Sequence, residues 1–169
     1  MGEDRATSEP PVRYFQMGGG SGRQAAEGRI DHGGTWQRAR QWPPESCRDV
    51  ALYLHADGQL LESAPDEPAA ADYRYDPADP VPTIGGALTS GQPVMRGGAF
   101  DQRVTEDIFV YRGAPDGQQL AARPDVLVFQ TPPLESALVV TGPLVVHLFV
   151  SSDCVDTDFT AKLVDVYPP

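Results

Sequence analysis

The residues with the clearest chemical potential lie in a glycine-rich stretch near the N-terminus. Ser21 stands in the sequence GGSGR, which comes close to the G-x-S-x-G pattern around hydrolase nucleophiles. In that pattern the serine occupies a tight turn between a strand and a helix, because its oxygen must stand clear of the sheet and face backbone donors. Here the fifth position is Arg23 and no strand–turn–helix pattern surrounds it. We therefore predict a plain turn at Ser21 and no catalytic residue in this chain.

The histidines and cysteines do not form a metal-binding pattern. His32, His55 and His147 have no second histidine or cysteine at ligand spacing, and the two cysteines lie far apart without a CxxC motif. His147 shares a strand face with apolar residues, which is more typical of a core or interface histidine than of a base. We therefore expect no zinc site.

Three carboxylates crowd one short segment, at Asp153, Asp156 and Asp158. Carboxylate oxygens are the ligands that Ca²⁺ prefers, but the glycine and bidentate glutamate of a calcium loop are missing. The alternative is a turn in which aspartate side chains accept hydrogen bonds from free backbone amides. We favour the turn, and we expect neither a metal nor a cofactor.

Composition and charge limit the classes of function. The 169 residues carry a net charge of −11, which argues against binding to nucleic acid or to an anionic membrane surface. No window of 18 apolar residues predicts a membrane span, and the first residues do not resemble a signal peptide, so the expected location is the cytoplasm. Seventeen glycines and 17 prolines favour short strands joined by turns.

The elements that would position a site are mostly strands. The sequence predicts a disordered tail over residues 1–11 and a single β-sandwich over residues 12–169. An Asp-Gly pair at residues 57–58 predicts a hairpin between residues 51 and 61. The remaining predicted strands are residues 12–17, 125–129, 137–140, 144–150 and 159–167. Trp36 and Trp42 are expected to pin a long loop to the core.

A proline-rich stretch follows the hairpin. Residues 76–82 (DPADPVP) contain three prolines, each of which fixes φ and removes a backbone donor. The stretch can be neither helix nor central strand, so we predict a stiff extended arm that ends in a turn at Gly85 and Gly86. Tyr73 and Tyr75 alternate ahead of it and predict the end of a strand. The alternative is a plain connector.

The arm also carries a family resemblance. Residues 75–86 (YDPADPVPTIGG) resemble a signature of the C-terminal domain shared by X-prolyl dipeptidyl-peptidases and CocE/NonD acyl esterases. Further agreement comes from residues 98–103 (GAFDQR), and from the segments at residues 140–143, 150–153 and 157–167. The resemblance implies a jelly-roll (galactose-binding-like) β-sandwich that is incomplete at its C-terminus. It also implies that the triad of the parent serine hydrolase lies on a separate α/β-hydrolase domain.

The resemblance places candidate site residues after the arm. It implies that this domain packs on the α/β-hydrolase domain and closes part of the active-site entrance, where Leu88 and Thr89 would face substrate. The charged pair Asp101 and Arg103 could form an internal ion pair or contact the partner domain. A homo-oligomer is a further expected partnership.

Two other functions stay open at this point. The chain could be a free-standing carbohydrate-binding sandwich that stacks sugars on Trp36 and Trp42, or an interaction module that uses an uncovered sheet edge. The sequence does not choose between peptidase and esterase for the parent enzyme. It also does not say whether the chain is a piece of a longer protein.

Overall fold

The computed structural model describes residues 9–26, 28–84, 97–102 and 120–167. Within these ranges the chain forms four strands, β1 (Val12–Gln16), β2 (Thr35–Ala39), β3 (Tyr53–Leu54) and β4 (Leu60–Leu61). One 3₁₀ turn spans Leu120–Ala122, and the described ranges contain no α-helix. The predicted all-β class is confirmed. The order of strands in a jelly roll stays a prediction.

The first sheet pairs β1 with β2 in antiparallel register. Phe15 lies opposite Trp36, and their rings meet edge to face with centroids 5.4 Å apart. Arg13 lies on the same face of β1 and places its guanidinium carbon 4.3 Å from the centre of the Trp36 ring. Such cross-strand aromatic and cation–π contacts stabilise a two-stranded ribbon. β1 was predicted, whereas β2 was not, because the tryptophans and arginines around residue 38 suggested a loop.

The second sheet is the predicted hairpin of β3 and β4. Its turn closes through a hydrogen bond from the Gly58 amide to the His55 carbonyl, at 3.0 Å. Gly58 has a φ of +82°, which a residue without a Cβ adopts at no steric cost. The hairpin also meets the later chain, because the Gln130 amide donates to the Gly58 carbonyl at 2.9 Å.

Several other predicted strands are wrong as secondary structure. Tyr73 and Tyr75 are exposed and lie in no strand. No strand forms at the four later predictions either, residues 125–129, 137–140, 144–150 and 159–167. A strand requires a partner for its backbone groups, and no ladder joins these segments to another described segment. Apolar patterning alone therefore predicted more strands than the described residues form.

The described residues bury few apolar side chains. Ile84 and Leu120 are their buried aliphatic residues, and Arg123 is buried with them. Most of the large apolar side chains of residues 138–150 are more than half exposed. The part of the chain that the structure describes thus presents an uncovered apolar surface at residues 138–150.

Candidate functional site: the proline-rich arm

The arm, defined here as residues 76–84, begins with a tight turn. The Asp79 amide donates to the Asp76 carbonyl at 3.1 Å, and the Ala78 amide donates to the Asp76 side chain at 2.9 Å. Aspartate at the first position and proline at the second are typical of a type I turn. The prediction that the whole arm is extended is therefore wrong for its first four residues. A side-chain hydrogen bond to the backbone overrode the extended bias of the prolines.

The second half of the arm alternates between buried and exposed residues. Pro82 and Ile84 are buried, whereas Val81 and Thr83 are exposed. Ile84 is the most enclosed, with 1% of its surface accessible. Period-two burial indicates that this half packs one face against the protein, as an extended segment does. The arm is therefore a fixed structural element up to Ile84.

A buried arginine holds the start of the arm. Arg123 Nε and Nη2 donate to the two carboxylate oxygens of Asp125, each at 2.8 Å. Nη2 also donates to the Asp79 backbone carbonyl at 2.7 Å, and Nη1 lies 3.3 Å from both Asp79 carboxylate oxygens. We call Arg123, Asp125 and Asp79 the clamp. It joins positions 44 residues apart in the chain.

The hydrogen bonds between Arg123 and Asp125 favour the charged form of both residues. Hydrogen bonds from Arg123 hold the pKa of Asp125 below the usual value of an aspartate, although burial opposes this shift. The pKa of Arg123 is raised, chiefly by its hydrogen bonds to Asp125 and then by those to Asp79. The side chains of Arg123 and Asp125 are 7% and 5% exposed, so solvent screens their attraction little. Arg123 and Asp125 therefore remain ionised at neutral pH.

The far end of the arm is held by the segment at residues 97–102. The Gln102 side-chain amide donates to the Ile84 carbonyl at 2.9 Å and to the Phe100 carbonyl at 3.2 Å. Phe100 forms an isolated bridge with Arg29, and the Ile30 amide donates to the Ala99 carbonyl at 2.8 Å. The chain on both sides of residues 85–96 is therefore anchored to the rest of the domain.

The structure locates only part of the predicted site. Leu88, Thr89 and Arg103 lie outside the described residues, as does the predicted turn at residues 85–86. Asp101 is half-buried between Phe100 and Gln102 and makes interactions of its own. Asp101 therefore belongs to the anchored segment that contacts the end of the arm. Its contact with another domain stays a prediction.

Ser21 has the surroundings of a loop residue. Its hydroxyl donates to the Asp31 carboxylate at 2.7 Å, and the same carboxylate accepts from the Gly33 amide at 3.1 Å. These hydrogen bonds lower the pKa of Asp31, with the Ser21 hydroxyl as the main cause. The His32 ring packs edge to face on Phe15, at 5.8 Å between centroids. Ser21 therefore does not donate to a histidine as the serine of a Ser-His-Asp triad does.

The tryptophans occupy opposite faces of the first sheet. Trp36 pairs with Phe15, whereas Trp42 packs on Tyr14 with centroids 5.3 Å apart. Tyr14 and Phe15 are adjacent in β1, so their side chains point to opposite sides. Both indoles are more than half exposed, so they do not anchor a loop in the core as predicted. They also do not form the shared platform that a sugar ring would need.

Sequence reasoning missed Arg123. Its signal is slight, since Arg123 and Asp125 merely flank a proline, and arginine–aspartate neighbours are common on surfaces. Spacing along the chain does not place Asp79 beside them. Among the described residues, no cluster of three or more histidine, cysteine, aspartate or glutamate side chains could hold a metal ion. Nor do these residues include a helix with the length and apolar character needed to cross a membrane.

Comparison with known families decides the class of this domain. The model of the X-Pro dipeptidyl-peptidase C-terminal non-catalytic domain matches residues 4–169. The chain belongs to this family. The family has a β-sandwich fold, in agreement with the strands and with the resemblance noted at the arm. Members of this family are the non-catalytic C-terminal domains of hydrolases.

Relatives of the domain are esterases of greater length. Cocaine esterase of Rhodococcus sp. strain MB1 Bresler is 36% identical over 98% of this chain and 25% of its own length. Predicted serine esterases of Mycobacterium bovis and Mycobacterium tuberculosis are each 33% identical over 95% of this chain and 21% of theirs. The chain thus spans about a quarter of the relatives it matches. No solved structure matches it.

Proposed function

We propose that this X-Pro dipeptidyl-peptidase C-terminal domain works within a larger serine hydrolase, where it packs on an α/β-hydrolase domain and shapes the substrate pocket. The parent enzyme would cleave an ester or a prolyl peptide bond through an acyl-enzyme on a serine outside this chain. The esterase relatives favour the ester. The single observation that carries the docking proposal is the uncovered apolar surface.

That surface is concentrated in residues 138–150. This stretch contains no lysine, arginine, aspartate or glutamate, although the whole chain has 37 such residues. Leu144, Val145 and Val146 are each more than half exposed. Large apolar patches without charge mark the centres of protein interfaces, because burial of apolar area is favourable and burial of unpaired charge is costly. We infer that another domain covers this stretch.

The arm supports the second half of the proposal. It is anchored at Asp79 by the clamp and at Ile84 by Gln102. The sequence that follows begins at residue 85 and includes Leu88 and Thr89, which we propose as pocket residues. A stiff, anchored arm is a suitable base for a segment that must meet substrate in one place.

A chimera tests the proposal. This chain replaces the matched quarter of the Rhodococcus cocaine esterase, and hydrolysis of p-nitrophenyl butyrate is measured for the chimera, for the parent relative and for the free chain. We expect turnover by the chimera and none by the free chain. Turnover by the free chain, blocked by a serine-directed inhibitor, would contradict the non-catalytic role.

A matched pair of substitutions tests the docking surface. Val145→Asp places a charge in the apolar stretch, whereas Val155→Asp places one in an exposed segment that already carries aspartates. We expect Val145→Asp to lower the thermal stability and the activity of the chimera, and Val155→Asp to leave both unchanged. Equal effects would contradict docking through residues 138–150.

The apolar surface of residues 138–150 and the net charge also predict how the free chain behaves toward other partners. Without a domain to cover it, residues 138–150 would favour self-association of the free chain, which sedimentation velocity would detect as a species heavier than the monomer. We expect no binding to nucleic acid, because the net charge of −11 repels phosphate.

A further inference from the structure

Arg123 is the buried charge at the centre of the clamp. Its side chain is 7% exposed, yet every nitrogen of the guanidinium donates a hydrogen bond. Burial of a charge is costly unless it is paired and hydrogen-bonded, and Arg123 meets both conditions. What Arg123 holds is the turn at the start of the arm.

The contact is directed at the backbone as well as at a side chain. Nη2 bridges the Asp125 carboxylate and the Asp79 carbonyl, at 2.8 and 2.7 Å. Fixing that carbonyl fixes the peptide plane that leads into Pro80. Pro80 and Pro82 then restrict φ along the way to Ile84. A displacement at Asp79 would therefore be passed along a stiff segment to residue 84, and flexibility would not absorb it.

We propose that Arg123 is a positioning residue that fixes the arm up to Ile84 and, through the arm, the fit of substrate in the parent hydrolase. This inference rests on the proposed function. Arg123 touches no reacting atom in this role. Its loss therefore weakens substrate binding and spares the chemical step, which raises KM and leaves kcat nearly unchanged.

The variants separate the geometry of the clamp from its charge. Arg123→Lys keeps the positive charge but cannot make the two parallel bonds to Asp125 and the bond to the Asp79 carbonyl together. Asp125→Asn is the milder change, because it leaves the contacts between Arg123 and Asp79 in place. The matched control is Arg38→Lys, since Arg38 forms an exposed ion pair with Glu9 at 2.6 Å and has no contact with the arm.

Two measurements on these variants test the inference. In the free chain, hydrogen exchange of the Ala78 and Asp79 amides reports the turn directly, since both are bonded to Asp76. In the chimera with the Rhodococcus relative, KM and kcat are measured for p-nitrophenyl butyrate. For Arg123→Lys we expect exchange at least tenfold faster and a KM about tenfold higher, comparable to the loss of one pocket contact. Asp125→Asn should give smaller changes of the same kind, and Arg38→Lys none.

The possible results distinguish the clamp from the proposed function. Unchanged amide exchange in Arg123→Lys would show that the clamp does not hold the turn, and would overturn the inference. Faster exchange with unchanged KM in an active chimera would overturn the positioning role and leave the proposed function standing. An inactive chimera beside an active relative would overturn the proposed function, and this inference with it.

Discussion

Ile84 offers a sharp test of the claim that the arm is packed into the domain. Replacement by alanine removes three carbons from a side chain that is 1% exposed. At about 0.8 kcal/mol for each buried methylene, the lost transfer free energy is about 2.4 kcal/mol. A residual cavity adds to this loss, so the expected decrease in the free energy of unfolding is about 2–5 kcal/mol. Ile84→Val should cost about 0.5–1.5 kcal/mol.

The matched control lies three residues earlier. Val81 belongs to the same arm but points outward and is 36% exposed. Val81→Ala should therefore change the free energy of unfolding by no more than about 0.5 kcal/mol. The measurement is urea unfolding of the free chain, followed by tryptophan fluorescence. With a slope of roughly 1–3 kcal/mol per molar urea, a loss of about 3 kcal/mol lowers the midpoint by roughly 1–3 M.

The contrast between Ile84 and Val81 distinguishes a packed arm from a loose connector. If Ile84→Ala and Val81→Ala lower the urea midpoint equally, then the alternation of burial along the arm is not real in solution. The arm would then be the plain connector that the sequence left as the alternative. Its proposed role as a fixed base for the following residues would fail with it.

Three further predictions concern the clamp and the glycine-rich loop. The pKa of Asp125 is below that of a free aspartate, so its stabilisation is complete well above about pH 4 and is lost as the pH falls further. Asp125→Asn should therefore lower the free energy of unfolding at pH 7, with a difference that shrinks toward pH 3; a difference independent of pH would contradict this. Gly34→Ala should lower the free energy of unfolding by more than about 2 kcal/mol, as measured by urea unfolding, because φ is +101° and a Cβ would lie 2.5 Å from the Gln16 carbonyl oxygen. The control is Gly19→Ala, which should leave the free energy of unfolding almost unchanged because no atom lies within 4 Å of the added Cβ. Ser21→Ala should raise the pKa of Asp31 in an NMR titration and leave the activity of the chimera unchanged.

The outcome of the strand predictions has a common physical cause. The Asp57-Gly58 hairpin was predictable because its partners are close in sequence and its turn needs a glycine at positive φ. Residues 144–150 have a strand-like pattern too, but their pairing depends on distant chain that local patterning does not specify. β2 was missed because its residues lack a strand-like pattern of their own. Trp36 and its neighbours form a strand only because they pair with Phe15 and the rest of β1.

The candidate site also combines features that local sequence predicted with features that depend on distant chain. The proline spacing of residues 76–82 predicted a stiff element. Residues 75–86 resembled a family signature, and the family was confirmed over residues 4–169. The turn at Asp76 also had a local signal, aspartate followed by proline, although we predicted extension there. The roles of Leu88, Thr89, Asp101 and Arg103 stay predictions, because pocket and domain contacts are made with chain outside this domain.

Local chemistry in the sequence was sufficient to predict the all-β class, the hairpin and the restricted backbone of the proline-rich arm. Each of these depends on backbone restriction or on neighbours a few residues apart. Only the tertiary structure decided that Arg123 reaches Asp79 across 44 residues, and that Gln102 meets the Ile84 carbonyl across 18. Such contacts depend on how distant segments pack, and a hydrogen bond between side chain and backbone leaves almost no trace in either partner's sequence surroundings.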